Sequence, residues 1–142
     1  MVIPGHSCYH KPMSKLPHLY FIGIAGVGTV WLADWALAQG WPVSGSELAA
    51  SPTTERLIQA GAQIHYGADP AKIPTDITEA IISAAITPSA PSYPELQELE
   101  RRGVSVVKRA QYVGRLTRTF KTIAVAGTHG KSTTTAMIGW IL

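Results

Sequence analysis

A single cysteine, Cys8, stands in this chain of 142 residues, so no internal disulfide can close and no set of thiolates can hold a metal. That usage fits a reducing cytoplasm. No run approaches the roughly 18 consecutive apolar residues of a membrane span, and the first residues lack the apolar centre of an export signal. The expectation is a soluble, cytoplasmic protein with no membrane span. Charge is sparse as well: 15% of the residues are charged, with a formal net charge of +3. Only Arg101-Arg102 and Lys108-Arg109 set basic residues side by side. Nucleic-acid surfaces carry a denser basic stripe interleaved with aromatics, so no nucleic-acid partner is expected. No pair of carboxylates has acid/base spacing, and no nucleophile triad is in evidence.

What is there is a globular interior. Apolar residues make up 46% of the chain, and its length suits one domain with a short remainder. The opening "MVIPGHSCYHKPMSKLP" has no periodicity, and its His6, Cys8 and His10 are read as incidental rather than as metal ligands, which makes residues 1–17 a flexible leader. From His18 onward, short apolar runs alternate with longer amphipathic ones. "HLYFIGI", "WPVSG", "AQIHYG", "EAIISAAI" and "VSVVKR" read as strands. "GTVWLADWALAQG" reads as a helix closed by Gly40, and "SPTTERLIQAG" as a helix capped by Ser51, with Pro52 in its first turn. "ELQELERRG" and "AQYVGRLT" complete the helices, and "KTIAVAG" is a last strand. This alternation predicts an α/β fold: a Rossmann-like, doubly wound parallel sheet over residues 18–120, followed from residue 121 by the start of a P-loop ATPase domain. Trp31 and Trp35, one turn apart, are expected in the core or at a domain contact, and His65 as structural. Glu95, Glu98 and Glu100 are expected on a solvated face.

Two glycine loops carry the chemistry. "GIAGVG", from Gly23 to Gly28, lies between the first strand and the first helix, where missing side chains let a phosphate reach backbone N–H groups. The dinucleotide pattern G-x-G-x-x-G has its middle glycine displaced, with Ala25 at that position and Gly26 beside it. Glu47, at the end of the second strand, is placed to meet a ribose hydroxyl. Glycines there also serve tight helix–sheet packing, so this loop alone leaves both readings open. The second loop, "GTHGKSTT", supplies Gly127, Gly130, Lys131 and Ser132. A lysine after a glycine turn reaches the terminal phosphates of ATP or GTP, and the next hydroxyl can ligate Mg2+. Val125 occupies the first glycine position of the strict pattern, so this is a shortened variant. His129 can touch phosphate or pack.

These strings, in this order, resemble the Mur ligase family of peptidoglycan synthesis. "FIGIAGVG" is similar to F-[IV]-G-I-G-G-x-G, "VSGSE" to V-S-G-S-D, and "ISAAI" to S-S-A-I. "RGVSVVKRAQYV" is similar to G-I-P-V-x-x-R-A-E-x-L, and "IAVAGTHGKSTTT" to I-A-V-A-G-T-H-G-K-T-T-T. Ala25 stands in place of a family glycine, Glu47 in place of an aspartate, and Ala84 in place of a serine.

The resemblance implies the N-terminal part of an ATP-dependent amide ligase. Such a ligase would join L-alanine to UDP-N-acetylmuramate through an acyl phosphate, for cell-wall biogenesis. Gly26, Val27, Gly28 and Thr29 would cradle the UDP diphosphate, with Ser46 and Glu47 on the uridine side and Ser83, Ala84, Ala85 and Ile86 lining the same pocket. Gly127, Thr128, His129, Gly130, Lys131, Ser132 and Thr133 would bind ATP, with Lys131 catalytic and Ser132 or Thr133 placing Mg2+. The central and C-terminal domains would lie beyond Leu142. Two alternatives stay open: a relative that recycles a murein tripeptide onto the same UDP-sugar acid, and a stand-alone Rossmann-like module for NAD or UDP.

Overall fold

The computed structural model describes residues 16–142, and the expected leader, apart from Leu16 and Pro17, lies outside them together with His6, Cys8 and His10. Five strands form one sheet: β1 (Leu19–Ile22), β2 (Val43–Glu47), β3 (Gln63–Tyr66), β4 (Glu79–Ile82) and β5 (Ser105–Lys108). Every pairing is parallel, in the order β3-β2-β1-β4-β5. The chain winds outward from β1 through β2 to β3, then returns to β1's other side for β4 and β5. The helices α1 (Val30–Ala38), α2 (Pro52–Gln59), α3 (Tyr93–Arg101) and α4 (Arg109–Leu116) cover the sheet, and α5 (Lys131–Ile141) follows them.

The two faces are apolar for a common reason. Successive side chains of a strand point to opposite sides, so in β1 Leu19 and Phe21 join one cluster and Tyr20 and Ile22 the other. The first cluster gathers Leu32, Ala33 and Ala36 of α1, Leu57 of α2, and Tyr112 and Leu116 of α4. The second gathers Leu96 and Leu99 of α3 with Ile73, at the end of a single 3₁₀ turn (Pro70–Lys72). All four residues of β1 are buried, as a strand covered on both faces requires.

Local signals worked where they are short-range. Ser51 caps α2 as expected: its hydroxyl accepts from the Thr54 N–H at 3.2 Å while the Thr54 hydroxyl accepts from the Ser51 N–H at 2.9 Å, with Pro52 opening the helix. Gly40, at φ 75°, turns the chain off α1, and the following Trp41 N–H closes on the Ala36 carbonyl at 3.0 Å. Trp35 packs edge-on to Trp41, with ring centroids 5.1 Å apart, whereas Trp31 is 44% exposed. Both line an apolar groove with Val113, Leu116, Thr117, Phe120 and Thr122.

Three expectations need correction. The fourth strand stops at Ile82, and Ser83–Ile86 is a turn closed by the Ile86 N–H on the Ser83 carbonyl. "TIAVA" forms no strand: a strand's backbone groups need a neighbour to pair with, and in the described residues this run lies outside the sheet, mostly exposed. Glu95 is not solvated. It is fully buried between α3 and the sheet, while Glu100 is exposed as expected.

Glu98 ties α3 to the 3₁₀ turn. Its carboxylate accepts from Arg101 and from Arg102 Nε, both at 2.7 Å, and Arg102 in turn donates to the Ile73, Pro74 and Pro70 carbonyls. These bonds, from Arg101 first and then Arg102, hold the Glu98 carboxyl down at about 2. A depressed carboxyl stabilises fully above the ordinary glutamate range and loses that contribution as pH falls toward the folded value. Glu98→Gln should therefore flatten the dependence of stability on pH between about 4.5 and 2. Urea midpoints across that range check it, and an unchanged acid slope contradicts it.

Candidate functional site

The strand order reverses between β1 and β4, and the two strands end flush, with Ile22 paired to Ile82. Loops leaving such a pair of carboxyl ends diverge to opposite faces of the sheet and leave a crevice between them. A cleft of about 420 Å³ lies there. It is lined by Ile22, Gly23, Gly26, Val27, Gly28, Thr29, Glu47, Ser83, Ala84, Ala85, Ile86 and Arg109. Of the residues expected on the UDP-sugar side, Gly26, Val27, Gly28, Thr29, Glu47 and Ser83–Ile86 are thus brought to one place.

The glycine loop is held from below. The Gly23 and Ile24 N–H groups donate to the Ser46 carbonyl at 3.0 and 3.1 Å, and the Ala25 N–H donates to a Glu47 carboxylate oxygen at 3.0 Å. The other Glu47 oxygen accepts from the Leu48 N–H at 3.0 Å. Glu47 therefore fastens the loop to the end of β2 and is also one of the residues that line the cleft. Thr29, buried, sits at the N-terminus of α1, and Val27 is almost fully exposed at the rim.

Ser46 does not enter the cleft. Strand alternation turns its side chain to the opposite face, where its hydroxyl donates to Glu95 at 2.5 Å. The second Glu95 oxygen lies 2.8 Å from His65 Nε2. The Tyr20 ring lies beside His65, and burial first, then the neighbouring Glu95 charge, pushes the Tyr20 hydroxyl's pKa up. His65 is structural, as expected, but its partner is the carboxylate that the helical charge pattern assigned to solvent.

Arg109, at the start of α4, is the cleft residue that the sequence reading left without a role. Two signals could have found it: it is the arginine of the "RGVSVVKRAQYV" string matched to the family motif, and it follows β5 directly, where residues just past strand carboxyl ends gather at the mouth of such a sheet. Its guanidinium lies against Gly28, in the space a Cβ at that position would fill.

The second loop stands apart from this cleft. Gly127 (φ 154°) and Gly130 (φ 78°) shape the turn, Gly130 precedes α5, and Gly127 to Thr133 are exposed. Lys131 Nζ donates to the Gly127 carbonyl at 2.7 Å and to the Thr128 carbonyl at 3.2 Å. The ammonium thus lies across the turn it follows. Among the described residues no helix is long and apolar enough to cross a membrane, and no group of three or more His, Cys, Asp or Glu side chains converges on a metal position.

Known proteins narrow the reading. The model of the Mur ligase family, catalytic domain, matches residues 18–121. A UDP-N-acetylmuramate–L-alanine ligase of Laribacter hongkongensis is 43% identical over 124 residues, covering 87% of this chain and 26% of that protein. One from Dinoroseobacter shibae is 40% identical over 132 residues, 93% of this chain and 28% of the relative. This chain thus spans about a quarter of the length of the curated relatives it matches. Among solved structures, a murein peptide ligase from Psychrobacter arcticus superposes with a TM-score of 0.78 at 30% identity, over 88% of this chain and 26% of that one. The UDP-N-acetylmuramate:L-alanyl-gamma-D-glutamyl-meso-diaminopimelate ligase of Neisseria meningitides does so with a TM-score of 0.76 at 25% identity, over 89% of this chain and 39% of that one. A parallel sheet with its crevice at the reversal of strand order, the glycine loop where the motif puts it, and a family model spanning that whole sheet agree on one assignment: the chain belongs to the Mur ligase family.

Proposed function

We propose that residues 18–120 form the UDP-N-acetylmuramate-binding domain of an ATP-dependent, cytoplasmic ligase that adds L-alanine to that sugar acid, and that residues 121–142 open its ATP-binding domain. The observation that carries the reading is the cleft of about 420 Å³, in which glycine-loop backbone, Glu47, Ser83–Ile86 and Arg109 face one another. It offers N–H groups and a cation to phosphates, and a carboxylate to hydroxyls. Within it, Gly26–Thr29 take the diphosphate, while Glu47 and the Ser83–Ile86 turn hold the nucleoside side. Ser46 serves only by its carbonyl, which anchors the loop.

The second loop fits ATP with Mg2+ by its donor set. Gly127–Gly130 expose backbone around a tight turn, and the Lys131 ammonium, now on two loop carbonyls, is within reach of an anion seated in that turn. Thr128 and His129 flank it, and Ser132 and Thr133 offer hydroxyls at the start of α5 for the metal. Bound there, the nucleotide supplies the phosphoryl group that activates the substrate carboxylate for attack by the amine of L-alanine. The chain's own part is to position the acid and to neutralise charge. The chain spans about a quarter of the length of its curated relatives, and the rest of such a ligase would supply the remainder of the ATP and amino-acid sites.

A second reading, a ligase that attaches a murein peptide to the same sugar acid, is favoured by the solved neighbours. Both readings share this cleft, and turnover of the full-length enzyme with L-alanine against the tripeptide separates them. The test of the cleft itself is an NMR titration of this chain. UDP-N-acetylmuramate and UDP should shift the amides of residues 26–29 and 83–86, and NAD should not. Shifts with NAD alone would reassign the chain to a nicotinamide-binding module.

A further inference from the structure

We infer that Ser44, His18 and Asp76 form a second, nucleophilic site at the end of the sheet opposite the cleft, one that hydrolyses small acyl esters through an acyl-serine.

His18 precedes β1, Ser44 is the second residue of β2, and Asp76 precedes β4. All three therefore gather at the amino ends of parallel strands, whereas the cleft lies at the carboxyl ends. His18 Nε2 is 2.8 Å from Ser44 Oγ, and His18 Nδ1 is 3.1 Å from Asp76 Oδ1. The carboxylate is close to Nδ1 but not aligned as a hydrogen bond, and among the described residues no other group meets that nitrogen. Catalytic pairs are commonly slack in this way until substrate binds. The histidine is held at its backbone: its N–H donates to the Thr78 hydroxyl at 3.0 Å, and its carbonyl accepts from the Thr78 N–H at 2.9 Å. With the ring proton on Nδ1, facing the carboxylate, Nε2 accepts from the Ser44 hydroxyl. A hydroxyl, an imidazole against it and a carboxylate on the far nitrogen are the parts that activate a serine, and they are recognised by geometry, not by their order in the chain.

Ser44 also has room to act. It is shielded from bulk water, yet it lines a cavity of about 180 Å³ together with Gln63, Ile64, His65, Lys72 and Pro74. Gln63 is its register partner in β3, so both side chains leave the same face of the sheet. Gln63 and Lys72 supply an amide donor and a cation for a carbonyl oxygen that gains charge. The volume limits the acyl group to a few carbons. In the reaction the Ser44 hydroxyl proton passes to His18 Nε2 as the oxygen's electron pair bonds to the ester carbonyl carbon. The bond from that carbon to the alkoxy oxygen breaks, the alcohol leaves with the proton, and acyl-Ser44 remains. Water then attacks the acyl carbon and gives a proton to Nε2, and the carboxylic acid departs as Ser44 regains that proton.

The experiment treats the full chain with methanesulfonyl fluoride and locates the modified residue by peptide mass spectrometry. Hydrolysis of p-nitrophenyl acetate and p-nitrophenyl decanoate, and thermal unfolding, are measured for wild type, Ser44→Ala, Asp76→Asn and Asp76→Glu. Wild type should be modified at Ser44 and should turn over the acetate well above the decanoate. Ser44→Ala should lose both the modification and the turnover. Asp76 is exposed, so Asp76→Asn should unfold at the wild-type temperature. It should nevertheless lower kcat by about 10²- to 10⁴-fold with KM unchanged, the usual effect of disabling a general base. Asp76→Glu, which restores the charge, should recover part of that loss. A wild type left unmodified at Ser44 overturns the site. Modification and turnover that continue at the wild-type rate in Asp76→Asn overturn the role of the carboxylate, and with it the three-residue arrangement.

Discussion

Glu95→Ala is expected to destabilise the fold by about 2–4 kcal/mol, a large part of the roughly 5–15 kcal/mol a domain of this kind possesses. The Glu95 side chain is fully buried and accepts from Ser46 while pairing with His65. Its removal strands the Ser46 hydroxyl in the interior, leaves the His65 ring without its acceptor, and opens a cavity beside Tyr20. The loss is functional as well as structural. Ser46 is the penultimate residue of β2, just before Glu47, and its carbonyl accepts from the Gly23 and Ile24 N–H groups. Loosening it slackens the floor of the glycine loop. Glu95→Gln keeps the shape and can both accept from Ser46 and donate to His65, so it should restore most of the stability. Denaturant unfolding of the two variants, with UDP affinity measured alongside, decides it. A Glu95→Ala protein as stable as wild type would mean that the network contributes nothing.

Gly45→Val is expected to be at least as damaging, and Gly45→Ala to cost about 1–3 kcal/mol, the usual range for overfilling a packed interior. A Cβ on Gly45 would stand 2.5 Å from the Phe21 carbonyl oxygen and 3.0 Å from the Ile24 Cβ. Phe21 is Gly45's register partner in β1, so the obstacle is the backbone of the neighbouring central strand, not a side chain that can swing away. Relief requires β1 and β2 to separate, and with them the Ser46 and Glu47 bonds that anchor the loop. Thermal unfolding midpoints of both variants check the prediction: a Gly45→Ala midpoint equal to wild type would show that the sheet yields there. The contrast with Gly28→Ala is instructive, because the same added methyl meets a movable guanidinium in one case and fixed backbone in the other.

Much of the cleft was legible because its parts are local. Residues 23–28 form a glycine loop between β1 and α1 in the sequence pattern and in space, and Glu47 stands at the end of β2 as the motif places it. The role of Glu47 was legible only in part, since its carboxylate also fastens the Ala25 N–H. Glu95 was misread because helix periodicity assigned it to the face of Glu98, whereas its position in the first turn of α3 points it at the polar end of β2. No window of a few residues contains Ser46 and His65 together with Glu95. The run "TIAVA" was misread for the opposite reason: its composition is that of a strand, but a strand exists only beside a partner, and composition does not supply one.

By itself the sequence determined the order of strands and helices, the caps at Ser51 and Gly40, the two glycine loops and the family, since each of these depends on residues close together in the chain. Only the tertiary structure decided that β4 lies beside β1 rather than beyond β3, and therefore where the crevice opens. It alone laid Arg109 against Gly28 and buried Glu95 against Ser46 and His65. The physical reason is that strand order and such contacts are chosen by which apolar faces can be buried together, a property of the whole sheet that short-range propensities do not contain.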